Sequence, residues 1–124
     1  MEETKQEPRL FKLPKPPEGV EYACGDKCED FNDYEIERFP SGCDVAAYWY
    51  VTGCYEGSGH IVYRVNGKWN HHNCGHCSCY GPMDDISDEG RESTLDELAQ
   101  HCSDRLLEEG ISALIAVLKE NGYR

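Results

Sequence analysis

Hydrophobic and polar positions form their clearest pattern in the middle of the chain, between residues 44 and 72. In residues 44–52, both alternating faces are apolar or aromatic, which is typical of a central strand that is covered on both sides. Residues 60–65 predict a second strand, and residues 68–72 predict a third. We therefore expect a meander of three or four antiparallel strands.

The dipeptide Asn66-Gly67 is the strongest local signal in the sequence. A type I′ hairpin turn needs positive φ at both central residues, which asparagine and glycine tolerate. Such a turn pairs Val65 with Lys68. The register then places five side chains on one face of the hairpin: His60, Val62, Arg64, Trp69 and His71.

Three segments around these strands give weaker signals. Residues 34–39 alternate imperfectly and predict a short strand, which ends at the turn-forming sequence Pro40-Ser41-Gly42. Residues 55–59, Tyr-Glu-Gly-Ser-Gly, predict a turn. Residues 74–88 predict a loop, because the dipeptide Gly81-Pro82 disfavours regular structure.

Apolar residues recur at helical spacing from residue 95 to residue 118. Thr94 and Glu97 have the spacing of a capping box, so the helix should begin there. A continuous helix of about 27 residues would span roughly 40 Å, which is long for a chain of this size. Because glycine costs about 1 kcal/mol relative to alanine inside a helix, we expect a kink or break near Gly110. Gly122 should end the helical region.

The N-terminal segment differs in composition from the rest. Its prolines disfavour helix and central strand, so residues 1–20 are predicted to form a flexible proline-rich arm. Leu10, Phe11 and Leu13 are the residues able to attach it to the domain. Residues 21–124 are predicted to form a single α+β domain, in which the antiparallel meander packs against the C-terminal helical segments.

The charge of the chain is strongly acidic, at −12 over 124 residues. Residues 84–109 contain ten acidic residues and two arginines, a net charge of −8. Such a surface repels nucleic acid and anionic membranes and suits a basic partner protein. The alternative is that the acidity only maintains solubility. The candidate partner-binding residues are Asp84, Asp85, Asp88, Glu89, Glu92, Asp96 and Glu97.

The N-terminal residues also bear on the compartment. Residues 1–17 contain no apolar run of the kind found in a signal peptide, and no segment approaches the roughly 20 apolar residues of a membrane span. These patterns predict a location in the cytoplasm. In a reducing compartment, eight cysteines favour metal ligands or free thiols over disulfides.

Cysteines and histidines concentrate in residues 71–79, and a second cysteine pair precedes them. The spacing Cys74-x₂-Cys77 is typical of metal ligands, and Cys24-x₃-Cys28 is a looser pair. Together these residues predict a zinc site formed by Cys24, Cys28, Cys74 and Cys77. One of these four ligands could be replaced by another residue of the run: His71, His72 or Cys79.

Two other interpretations of the cysteines remain open. Free cysteines can pack as small hydrophobic residues, which is the expectation for Cys102 on the helix face. Disulfides are the second interpretation. Cys43 and Cys54 lie at opposite ends of one predicted strand and cannot pair with each other. Either could pair with one of three other cysteines: Cys24, Cys28 or Cys79.

A nucleophilic cysteine is a further possibility. Cys77 or Cys79 could pair with one of three histidines, His71, His72 or His76, and Asp84 or Asp85 could orient that histidine. No oxyanion-hole motif accompanies them. The sequence also lacks a P-loop, a dinucleotide fingerprint, His-Glu-x-x-His and Gly-x-Ser-x-Gly. We therefore expect a protein that is not an enzyme.

Two motifs resemble those of a group of small uncharacterised bacteriophage proteins. They are Tyr-Glu-Gly-Ser-Gly at residues 55–59 and His-Cys-Ser-Cys-Tyr-Gly-Pro at residues 76–82. The resemblance covers residues 48–82. It implies a phage accessory protein that works in the cytoplasm of a bacterial host.

The resemblance and the charge together give the functional prediction. The chain is expected to inhibit a host nucleic-acid-binding defence protein, such as a CRISPR nuclease, by mimicking the charge of nucleic acid. The alternatives are a zinc-stabilised structural adaptor and a cysteine-dependent enzyme that uses Cys77 or Cys79.

Overall fold

The computed structural model describes residues 8–18, 20, 28–31, 33–53, 56–75, 83, 86–106 and 109–124. The strands within these residues are β1 (Arg9–Lys12), β2 (Cys43–Gly53), β3 (Glu56–Val65) and β4 (Lys68–Asn73). The helices are α1 (Asp33–Glu37), α2 (Leu95–His101) and α3 (Ile111–Glu120).

The four strands form one mixed sheet in the order β1-β2-β3-β4. Strands β2, β3 and β4 form an antiparallel meander, and β1 pairs with β2 in parallel. Helices α2 and α3 contact β4, β2 and β3. The predicted α+β class, a meander packed against C-terminal helices, is confirmed.

The β3–β4 hairpin has the turn and the register that the sequence predicts. Asn66 and Gly67 have φ angles of 51° and 84°, as a type I′ turn requires. Val65 pairs with Lys68, and Val62 pairs with His71. This register places His71 on the same face of the sheet as Val62 and diagonally opposite His60.

Strand β2 is buried on both faces, as its pattern predicts. One face lies under α2 and α3 and carries the first core cluster, to which Trp49, Val62 and Leu114 belong. The other face carries the second core cluster, which includes Tyr48, Tyr50 and Phe31; Phe31 stacks on Tyr48 with ring centroids 4.1 Å apart. Aromatic side chains of this size bury enough apolar area to account for a large part of the stability of a small domain.

Strand β1 lies within the segment predicted as a flexible arm, residues 1–20, of which residues 1–7 and 19 are outside the described residues. Residues 9–12 of that segment pair in parallel with residues 45–48 of β2. Phe11 and Leu13 pack against the first core cluster, and Leu10 packs against the second. The prolines therefore lie outside the strand, where their missing N–H groups interrupt no ladder.

Helix α1 corrects the predicted strand at residues 34–39. Asp33 and Glu35 lie in its first turn, where acidic side chains interact favourably with the helix dipole. Ile36 packs against the second core cluster, and Phe39 belongs to that cluster. The spacing of three residues places both side chains on one side of a helical turn, whereas in a strand they would point to opposite faces.

Residues 56–59 correct the predicted turn at residues 55–59, because β3 already begins at Glu56. Gly59 lies opposite Tyr50 in the ladder. A Cβ atom added at Gly59 would lie 2.3 Å from the carbonyl oxygen of Trp49, so a side chain does not fit there. These glycines allow close approach of two strands, which is the other role of glycine in a sheet.

The C-terminal helices break where the sequence predicts. The Thr94 hydroxyl caps α2 by accepting a hydrogen bond of 3.1 Å from the Glu97 N–H. Helix α2 ends at His101, and α3 begins at Ile111 after Gly110, whose φ is 70°. Gly122, with φ of 92°, follows the end of α3. In the segment between α2 and α3, Glu109 lies against the sheet.

Candidate metal centre

His60 and His71 meet on the sheet face that α2 and α3 cover. His60 lies on β3 and His71 on β4, and the hairpin register makes them diagonal neighbours. Their rings stack with centroids 5.0 Å apart and planes inclined by 12°. His60 Nδ1 lies 2.8 Å from His71 Nε2. Two ring nitrogens at this distance either share one proton or direct their lone pairs toward a common partner.

Glu109 completes this group from the segment between α2 and α3. Its Oε1 atom lies 3.7 Å from His60 Nδ1 and 3.9 Å from His71 Nε2. This oxygen is shielded from solvent. The three donor atoms all lie within 4.8 Å of one another.

Backbone contacts fix the position of Glu109. The Trp49 Nε1–H donates a 3.0 Å hydrogen bond to the Glu109 carbonyl oxygen. The Glu109 N–H donates a 3.0 Å hydrogen bond to the Arg105 carbonyl oxygen. The next residue, Gly110, is buried, and an added Cβ atom would lie 2.8 Å from Trp49 Nε1. A buried tryptophan and a glycine with positive φ therefore hold the carboxylate over the two histidines.

Both histidines are neutral near pH 7. Burial, followed by the charges of Arg105 and His72, lowers the pKa of His60 to about 4. Burial, followed by the charges of His60 and Arg105 among others, lowers the pKa of His71 to about 3. The contacts with Glu109 are therefore not ion pairs near neutral pH, although their distances are within ion-pair range. A neutral imidazole keeps one nitrogen lone pair, which is the form that binds metals.

The group formed by His60, His71 and Glu109 can hold a metal ion. Imidazole nitrogens and carboxylate oxygens are ordinary ligands of transition metals. Two of the three donors lie on paired strands, so little side-chain or backbone ordering is needed to bring them together.

The predicted cysteine site is only partly within the described residues. Cys24 and Cys77 lie outside them. Cys28 packs in the core cluster on the helix-covered face, and Cys74 packs in the cluster on the opposite face. Burial raises the pKa of both thiols. The structure thus separates Cys28 from Cys74, and a four-cysteine zinc site remains a prediction.

The other cysteines give a similar division. Cys43 and Cys102 are buried free thiols, and Cys102 packs under the helices as its helical spacing predicts. Because Cys28 and Cys43 are free thiols, the predicted disulfides that use either of them are wrong. Cys24, Cys54, Cys77 and Cys79 lie outside the described residues, so the disulfides of Cys54 with Cys24 or Cys79 and the predicted nucleophiles stay predictions. His71 contacts His60 on the face of the sheet that carries the first core cluster, whereas Cys74 lies on the opposite face.

The acidic segment is anchored through its backbone. The Asn70 side-chain amide donates to the Glu89 carbonyl oxygen at 2.9 Å, and the backbone of Glu92 pairs with that of Trp69. Asp96 accepts a hydrogen bond from Lys119. Asp84 and Asp85 lie outside the described residues. The remaining predicted partner-binding residues are exposed, except Glu92, which is half-buried: Asp88, Glu89, Glu92, Asp96 and Glu97.

The sequence predicts part of this centre. The hairpin register predicts that His60 and His71 share a face, and His71 is also predicted as an alternative zinc ligand, but no pattern marks His60 as a ligand. Glu109 had no signal, because it lies among many acidic residues and its position depends on the path of the chain after α2. The sole sequence clue was the expected break near Gly110.

The longest helix within the described residues is α3, with ten residues, and these residues contain no helix with the length and apolar character needed to cross a bilayer.

Comparison of the chain with protein-family models, with curated proteins and with solved structures found no match. The resemblance to phage proteins therefore stays a prediction.

Proposed function

We propose that this protein binds one zinc ion through His60 Nδ1, His71 Nε2 and Glu109 Oε1. The proposal rests on one observation: three donor atoms of suitable chemistry converge from two strands and a loop at separations of 2.8, 3.7 and 3.9 Å.

These separations suit tetrahedral coordination. Zinc lies 2.0–2.2 Å from nitrogen and oxygen ligands, so its tetrahedral ligands are about 3.3 Å apart. The three distances bracket that value. Shifts of about half an ångström in the Glu109 carboxylate and in the imidazole rings would bring all three distances to that value, and ordinary side-chain motion provides such shifts.

The donor set favours zinc over calcium or magnesium. Two imidazoles and one carboxylate form a borderline-soft set, whereas calcium and magnesium prefer six or more oxygens. Three protein ligands also leave a fourth position for water or another ligand, as in zinc sites that bind exogenous molecules. The neutral state of both histidines supports binding near pH 7, because neither ring is an imidazolium that must first lose its charge.

The bound ion would connect the C-terminal part of the chain to the sheet. Glu109 directly precedes Gly110 and α3, whereas the two histidines belong to the β3–β4 hairpin. Zinc at this position would link the two parts of the chain through its coordination bonds. A free zinc concentration of about 100 times Kd would stabilise the fold by about 2.7 kcal/mol.

Zinc content and affinity test the proposal. Protein purified without chelators should contain one zinc per chain by elemental analysis, and calorimetric titration after chelation should recover one site. His71→Ala and Glu109→Gln should each weaken binding about 100-fold or more, because each removes a ligand. His101→Ala is the matched control, since His101 is exposed on α2.

Cys77→Ser separates this site from the predicted cysteine site. If zinc is lost in Cys77→Ser and retained in both His71→Ala and Glu109→Gln, the cysteines hold the ion and the proposed centre is wrong. Retention in Cys77→Ser together with loss in the other two variants supports it.

A second candidate function is binding of a basic, nucleic-acid-binding protein. The exposure of Asp88, Glu89 and Glu97 beside a backbone that is fixed to the sheet favours it. We propose that this acidic segment occupies a basic channel of the partner by charge mimicry. Salt at about 0.5 M should weaken such a complex strongly, because the Debye length falls to a few ångström. A complex with unchanged affinity in that salt would contradict it.

A further inference from the structure

We propose that the fourth coordination position of the metal takes a small oxyanion, and that Arg105 is the second group that holds it. This inference rests on the proposed zinc site and assigns its ligand class. The ligand would bridge the metal and the guanidinium.

Arg105 lies beside the donor atoms of the centre. Its Nη1 is 3.8 Å from Glu109 Oε1, the same oxygen that faces both imidazole nitrogens. The backbone hydrogen bond from Glu109 to Arg105 keeps the two residues on one side of a turn. The guanidinium is therefore a fixed neighbour of the metal position.

The hydrogen-bonding capacity of Arg105 is only partly used. Its Nη2 donates to Cys102 Sγ at 3.4 Å, which is a weak acceptor. Its contacts with the carboxylates of Asp104 and Glu109, at 3.7 and 3.8 Å, are longer than hydrogen bonds. A guanidinium has five N–H donors in a planar fork, so donors remain for an incoming acceptor.

The charge balance of the loaded centre calls for an anion. A zinc ion and Arg105 together carry three positive charges, and the Glu109 carboxylate cancels one of them. The two histidines contribute none, because an imidazole that binds a metal does so in its neutral form. Two cationic groups this close repel each other, and an anion placed between them interacts favourably with both.

Exposure indicates the direction from which this ligand arrives. The side chains of His60 and His71 are 10% and 9% exposed, whereas Glu109 and Arg105 are 22% and 38% exposed. The centre is thus most accessible to solvent on its Arg105 side. A ligand that enters there meets the guanidinium before it reaches the metal.

The planar fork of arginine matches carboxylate and phosphate oxygens. A carboxylate and a phosphate share this chemistry, and the test has one arm for each.

Cobalt(II) replaces zinc as the probe, because its visible absorption changes when a ligand enters the coordination sphere. The full chain is loaded with one cobalt equivalent in perchlorate, and acetate or inorganic phosphate is added at constant ionic strength.

The expected result is a saturable spectral change with at least one of the two anions. Arg105→Gln should weaken that anion about tenfold or more, since it removes a charge-assisted hydrogen bond. Arg105→Gln should bind cobalt at least as tightly as the wild type, because it removes a repelling charge. Arg38→Gln, an exposed arginine next to α1, is the matched control.

The outcomes separate the two proposals. A chain that binds cobalt with a spectrum unaffected by either anion overturns this inference and leaves the metal site standing. Equal anion affinity in wild type and Arg105→Gln overturns the role of Arg105, and circular dichroism shows that the variant is folded. A chain that binds neither cobalt nor zinc overturns both proposals. The anion that binds with the higher affinity, acetate or phosphate, identifies whether the natural ligand is a carboxylate or a phosphate.

Discussion

Acid should destabilise the metal-free protein well above the pH at which its carboxylates titrate. The cause is the burial of two neutral histidines, whose pKa values are lowered to about 4 for His60 and about 3 for His71. Because both values lie below the unfolded value of about 6.5, the unfolded state binds more protons as pH falls. The folded protein is therefore fully stable, in this respect, above the unfolded pKa of about 6.5, and it loses stability as the pH falls below that value.

The size of the loss follows from these pKa values. At about pH 5.5, an unfolded histidine is mostly protonated, whereas His60 and His71 remain neutral in the folded protein. Relative to about pH 7, each histidine then destabilises the fold by about 1.3 kcal/mol, so the pair destabilises it by about 2.5 kcal/mol. The loss continues until the pH reaches the folded values of about 4 and about 3.

Urea unfolding at about pH 7 and about pH 5.5, in the presence of a chelator, measures this loss. A double variant, His60→Gln with His71→Gln, should lose little stability over the same interval, whatever its stability at neutral pH. His101→Gln should keep the wild-type loss, because it removes neither buried imidazole. NMR titration of the wild type gives an independent readout, in which both imidazoles should stay neutral at about pH 5.5.

Equal losses in the wild type and the double variant would refute the reasoning. So would imidazole titration of His60 and His71 near the ordinary value of about 6.5, since burial would then impose no penalty on their charged forms. Either result would also weaken the case for a metal centre built on neutral imidazoles.

Two further predictions concern the elements that position the centre. Gly110→Ala should destabilise the fold by about 2–4 kcal/mol in urea unfolding, because an added Cβ meets Trp49 Nε1 at 2.8 Å and φ is 70°. Gly122→Ala, with φ of 92° and no atom within 4 Å, is the control and should cost about 1 kcal/mol; equal effects would contradict the steric argument. Thr94→Ala should destabilise the fold by about 1 kcal/mol, because it removes the N-cap of α2, whereas the neighbouring Ser93→Ala should change stability by less than about 0.5 kcal/mol. Calorimetric melting measures both variants. An unchanged melting temperature in Thr94→Ala would contradict the capping role.

The central hairpin was predictable because its signals are local. Asn66-Gly67 determines the turn, and the two-residue period then determines which side chains share a face. The break before α3 was predictable for the same reason, since Gly110 disfavours a continuous helix through its own backbone.

The remaining parts depend on contacts that are distant in sequence. Strand β1 forms because residues 45–48 offer it a free edge, which no local pattern reports. Helix α1 has only five residues, too few for the helical spacing of Ile36 and Phe39 to stand out from an imperfect alternation. Glu109 joins the histidines through Trp49, which lies 60 residues away, so its role emerges only from the fold.

The parallel pairing of β1 has a consequence for association between chains. Strand β2 is eleven residues long and almost entirely apolar, and it would be an open edge without β1. Leu13 and Glu29 extend this cover by donating backbone hydrogen bonds to Tyr48 and Tyr50. Such an edge, once uncovered, recruits strands from other molecules and leads to strand exchange or aggregation. With β1 in place the edge is β1 itself, which is only four residues long and carries Arg9 and Lys12, so it offers a neighbouring molecule far less to pair with.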